Sequence, residues 1–138
     1  MPKRRRGARS APRHRAPIRH IGFDRLVAWA LEGLPEPFRT ALDEVAIVIE
    51  DEPTPAQRLE NELADEDTLY GLYEGVPRTE WNADWISVPN KISLFRLPLE
   101  EDFPDPEDLA DEVRQTVVHE LAHHLGIDDH RLDELGID

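Results

Sequence analysis

The residues best equipped for chemistry stand together near the end of the chain, where the sequence reads His119, Glu120, Leu121, Ala122, His123. Histidines four positions apart fall about 40° apart around a helix, one turn from each other, so both imidazoles can reach a common point. Two nitrogen donors at about 2.0–2.1 Å are what a catalytic zinc takes from its protein, with a third ligand and a water completing the tetrahedron. Glu120 follows the first histidine and lies beside the second, where it can hold the metal's water instead of the metal. Two ligands and a general base in an H-E-x-x-H pattern form an arrangement that activates water for hydrolysis.

A helix has to carry these groups, and its ends are written in the sequence. Pro106, Glu107 and Asp108 make an acidic first turn suited to the positive end of the helix dipole, and Gly126 is placed for a left-handed C-terminal cap. A helix is therefore predicted from about Asp105 to Leu125. Its core stripe is Leu109, Val113, Val117, Leu121 and Leu125, and His119 and His123 fall about 140° from the centre of that stripe, in a row with Glu112 and Thr116. They do not read as core histidines. His124 turns back toward the stripe and reads as a packing residue.

A metal held by two imidazoles needs a further donor, and only 15 residues of sequence follow His123. A glutamate from a distant downstream helix is not expected on that length. The candidates are Asp128, Asp129, His130, Asp133 and Glu134. Gly126 lets the chain reverse after the helix, so a residue a few positions later can return to the open side of the ion. Candidate oxyanion donors are Tyr70, Tyr73, His130 and Arg131.

Upstream, Phe23, Leu26, Val27, Ala30, Leu31 and Leu34 recur at three- and four-residue steps, which predicts a helix stopped near Gly33 and Pro35. A short helical stretch from Glu36 to Leu42 follows. Val45 to Ile49 is an apolar, β-branched run that reads as a buried strand. Pro55 to Asp67 reads as a short helix or irregular loop, and two strands are expected around Thr68 to Tyr73 and Lys91 to Leu97. The latter alternates, with Ile92 and Leu94 on one face and Ser93 and Phe95 on the other, and it offers an edge for an extended peptide to join by strand addition. Trp81 and Trp85 anchor a loop between the two strands. The expected class is α+β, a small sheet packed on a long helix.

Composition narrows the classes of function. With 138 residues the chain fits one domain. It has no cysteine, so thiolate catalysis, Cys-ligated zinc and disulfides are excluded, and any metal must be held by His, Asp or Glu. No apolar run reaches the roughly 20 residues that cross a bilayer. Eight of the 16 Lys and Arg side chains lie within residues 1–20, where no acid occurs; the other eight face all 30 acids in residues 21–138. Residues 1–20 therefore read as a disordered basic arm and 21–138 as the folded domain. Nucleic acid could meet only the arm, through residues 3–19, because the acidic body repels phosphate. With no apolar stretch behind the arginines, a cytoplasmic location is expected.

Extending the motif gives His119-Glu120-x-x-His123-x-x-Gly126-x-x-Asp129, which resembles the aspartate variant of the extended zinc-binding motif of zincin peptidases. Val45 to Pro53, Leu69 to Pro77, Ile92 to Arg96 and Thr116 to Gly126 are likewise similar to a family of small bacterial zincin-like metallopeptidases. The resemblance covers about residues 21–136. It implies a minimal zincin-like fold, one Zn2+ held by His119, His123 and Asp129, Glu120 as general base, and a peptide or protein substrate. The chain departs from larger zincins in lacking their methionine turn, since Met1 is its only methionine. The alternative is a catalytically silent zincin-like binding protein that works through its acidic surface or basic arm.

Overall fold

The computed structural model describes residues 4–5, 22–75, 90–127, 131 and 134. The Trp81/Trp85 loop, Asp128, Asp129, His130 and most of the basic arm lie outside the described residues. Within the arm, β1 (Arg4–Arg5) forms a short antiparallel ladder with β3 (Asp67–Thr68).

Helix α1 (Phe23–Ala30) forms where the apolar spacing places it, burying Phe23, Leu26, Val27 and Ala30. Gly33, at φ +71°, turns the chain out of it. Helix α2 (Phe38–Leu42) buries Phe38 and Ala41 and leads into strand β2 (Ala46–Glu50). Helix α3 (Pro55–Glu60) opens with a reciprocal cap: Thr54 accepts from the Gln57 N–H, and the Gln57 side chain accepts from the Thr54 N–H. Strands β4 (Gly71–Glu74) and β5 (Lys91–Phe95) follow, then helix α4 (Arg96–Asp102) and the 19-residue helix α5 (Pro106–His124).

The main sheet has the order β2-β5-β4, with β2 parallel and β4 antiparallel to β5. Two expectations are thereby corrected. β5 lies at the centre, so it offers no edge to a peptide, and both of its faces, Ile92 with Leu94 and Ser93 with Phe95, are fully buried. β2 is an outer strand, with Ile49 exposed, where a fully buried strand was predicted. A strand covered on both faces shows no contrast in burial between its two sets of side chains.

The core joins α1 and α2 to α5 and to the inner face of the sheet. Leu26, Phe38, Ile92, Leu94, Val113, Val117 and Leu121 belong to it. The mixed α+β architecture, a three-stranded sheet against a long C-terminal helix, agrees with the expected class. Among the described residues, no helix is long and apolar enough to cross a membrane.

β4 also packs along a second flank of α5, and Gly71 makes that approach possible. A Cβ at Gly71 would stand 2.6 Å from Thr116 Cγ2 and 3.2 Å from the Ser93 carbonyl oxygen. The threonine is too short and stiff to yield. Gly71→Ala is expected to lower stability by about 1–3 kcal/mol through overpacking, measured as a shift in the urea unfolding midpoint at unchanged slope.

Candidate metal centre

Helix α5 begins and ends through local chemistry. The Asp105 side chain accepts from the Asp108 N–H, Pro106 fills the first turn, and Glu107 and Asp108 sit at the positive end of the dipole. At the other end Gly126 takes φ +79°. Its N–H donates to the His123 carbonyl and the Ile127 N–H to the Ala122 carbonyl, at 3.0 and 2.8 Å. These paired bonds are a Schellman cap, which a left-handed residue at this position permits. The chain therefore turns back three residues after His123, as Gly126 led us to expect.

His119 and His123 project from this last stretch of helix with ring centroids 5.1 Å apart and planes at 73°. Two imidazoles bound to one tetrahedral zinc through bonds of about 2.0–2.1 Å have centroids about 5 Å apart, so the pair has the separation that such an ion requires. The negative end of the helix dipole, in the same turns, favours a cation. His123 is partly open to solvent, with 28% of its side chain exposed, whereas His119 is 7% exposed. The buried His119 differs from the reading of its row as a face off the core. Thr116 and Glu120, on either side of it in sequence, meet β4 at Gly71 and Tyr73, and a helical wheel registers only the larger apolar stripe.

Glu120 is completely buried, yet its place is defined by polar contacts. Its Oε1 accepts the backbone N–H of Tyr73 at 2.8 Å and lies 3.6 Å from His123 Nδ1. A carboxylate has about four acceptor sites on two oxygens. The bond from Tyr73 thus orients the group without exhausting its capacity to take a proton.

The tyrosines proposed as oxyanion donors have their hydroxyls in other bonds. Tyr70 donates to Asp102 Oδ2 at 2.5 Å and packs edge-on against Phe103. The Tyr73 hydroxyl donates to Asn90 Oδ1 at 2.9 Å and stands 3.0 Å from His124 Nδ1. Arg131 is exposed and pairs with Glu134, 2.9 Å away. His124, read as a packing residue, is fully buried as expected but also has this polar contact. The main-chain donor to Glu120 was missed altogether, because an N–H leaves no mark on residue identity.

Among the described residues, no three His, Asp or Glu side chains come together as a metal cage. His119 and His123 supply two donors of the right kind at the right separation, and Asp128, Asp129 and His130 lie beyond the described stretch. The donor chemistry suits zinc: two neutral nitrogen ligands, with a carboxylate beside them that is held by a backbone N–H.

No curated protein matches this chain. A family model described as zincin-like metallopeptidase does match, over residues 42–137, from the end of α2 through β2, β4, β5 and the whole of α5. Since that span exceeds half of the sequence and contains His119, Glu120, His123 and Tyr73, the chain belongs to the zincin-like metallopeptidase family.

Proposed function

We propose that this protein is a zinc-dependent peptide hydrolase in which His119, His123 and Asp129 hold one zinc ion and Glu120 is the general base. The family supports a metallopeptidase acting on a peptide or protein. The observation that carries the residue assignment is the 2.8 Å bond from the Tyr73 N–H to Glu120, which aims a buried carboxylate beside two imidazoles one helical turn apart. A glutamate with only a structural task would not need this neighbourhood.

Bound at this place, zinc would supply Lewis acidity, lowering the pKa of a water toward about 7 and polarising a peptide carbonyl. The rest falls to the chain. Glu120 takes a proton from the attacking water as the water's oxygen forms its bond to the carbonyl carbon. Glu120 then passes that proton to the amide nitrogen as the C–N bond breaks, so that a neutral amine leaves. The Tyr73 N–H keeps the carboxylate aimed through both transfers, and the exposed edge of His123 is the side from which water and substrate enter.

The test is metal analysis of the protein as purified, followed by assay against a broad peptide library. About one equivalent of zinc is expected, with hydrolysis lost on chelation and regained on adding zinc. Zinc at a hundredfold excess over Kd should also stabilise the fold by about 2.7 kcal/mol, seen as a rise in Tm. A chain that binds no zinc, or binds it and cleaves nothing in the library, overturns the proposal; the second result leaves the binding-protein alternative standing.

A further inference from the structure

Tyr73 touches the active-site helix twice. Its N–H donates to Glu120 Oε1 at 2.8 Å, and its hydroxyl lies 3.0 Å from His124 Nδ1. Glu120 and His124 are four positions apart on α5, about 6 Å along the axis at a rise of 1.5 Å per residue. A tyrosine covers that span from main-chain nitrogen to hydroxyl. At the far end the hydroxyl donates its single proton to Asn90 Oδ1, at the entrance to β5, which leaves the phenol oxygen to accept from His124 Nδ1–H. The His124 ring is completely buried, tilted against the Tyr73 ring at 5.6 Å between centroids, with Glu44 Oε1 3.5 Å from its other nitrogen.

β4 is an outer strand of the sheet, and Tyr73 lies one residue from its end. Strand termini open locally at low free energy, so the N–H that aims Glu120 sits where backbone is easily displaced. The phenol anchor opposes that displacement. We infer that Tyr73 is a positioning residue for Glu120: its hydroxyl, held by His124 and Asn90, clamps the strand end so that its N–H stays on the carboxylate. The inference rests on the reading of Glu120 as general base. His124 acts at one further remove, through Tyr73, and touches neither substrate nor metal.

The test is Tyr73→Phe, which keeps the ring and the N–H and removes only the far anchor. Amide hydrogen exchange at residue 73, followed by NMR in the zinc-free chain and again with zinc, should speed up about tenfold, the loss of one net hydrogen bond. In the zinc-loaded enzyme kcat should fall about ten- to a hundredfold, as for a displaced catalytic group, with KM and zinc affinity unchanged. His124→Asn, whose amide nitrogen falls where Nδ1 stands, keeps a donor toward the phenol and should show slower exchange at residue 73 than Tyr73→Phe. Unchanged exchange at residue 73 in Tyr73→Phe overturns the clamp. Faster exchange with unchanged kcat overturns its role in positioning the base. A wild type without activity rejects the hydrolase proposal instead, and exchange in the zinc-free chain then decides on the clamp by itself.

Discussion

Glu120→Gln is expected to keep its zinc and lose its turnover, by about 10²–10⁴-fold in kcat. Glutamine has the same shape, and its side-chain carbonyl can still accept the Tyr73 N–H bond that Oε1 now receives at 2.8 Å. Only the capacity to take a proton disappears. The fold should hold, because the change removes a charge from a fully buried site while leaving a hydrogen-bond partner in place. Glu120→Ala is the informative contrast. It strands the Tyr73 N–H against a cavity, which costs about 1–3 kcal/mol for the orphaned donor alone. Zinc content, Tm and kcat measured on both variants separate base chemistry from scaffolding. A glutamine variant that turns over at the wild-type rate would remove Glu120 from the mechanism, and one that loses its zinc would make the residue a ligand.

How much of this was legible in the sequence follows from the range over which each signal acts. Helix α5 was expected from about Asp105 to Leu125 and runs Pro106–His124, because its start and stop are set within one turn by Asp105, Pro106 and Gly126. The H-E-x-x-H face was equally readable, since helical geometry alone puts His119 and His123 together. α1, α2 and α3 came close to their expected places for similar local reasons. Thr54 and Gln57 carry a capping-box signature that would have decided the Pro55–Asp67 segment in favour of a helix.

What failed depends on partners distant in sequence. Strand order put β5 in the centre and β2 at an edge, and no property of Ile92 to Phe95 or Ala46 to Glu50 taken singly reveals which strand has two neighbours. The strand expected over Lys91–Leu97 includes Arg96 and Leu97, which instead form the first turn of α4. Proline is tolerated in the first turn of a helix, and Arg96, bonded to both Asp51 and Glu100, ties this turn to the end of β2 and to its own next turn. The bond from Tyr73 to Glu120 joins positions 47 residues apart through a main-chain donor. The polar surroundings of His124 are of the same kind, assembled from α5, β4 and the segment before β5.

Asp129 carries the second large expectation. In Asp129→Ala zinc affinity should fall by more than a hundredfold, beyond the 10–100-fold typical of removing a residue that only orients a ligand, because the donor set we propose would lose one of its three members. The geometry behind this lies in the cap. After His123 the chain turns back at Gly126, and the paired bonds from Gly126 and Ile127 to the His123 and Ala122 carbonyls fix the direction in which it leaves the helix. Asp129 stands three residues beyond that glycine in the sequence, the spacing on which the proposal rests. Asp129→His should recover much of the affinity, since imidazole nitrogen is an equally good zinc donor, and Asp129→Asn should recover little, since the amide brings no charge. His130 is the natural competitor, one position further along and itself a nitrogen donor. Titration of zinc against a chelator of known affinity, run on Asp129→Ala and His130→Ala side by side, decides between them. If His130→Ala loses the metal while Asp129→Ala retains it, the third ligand is the histidine and the aspartate reading is wrong.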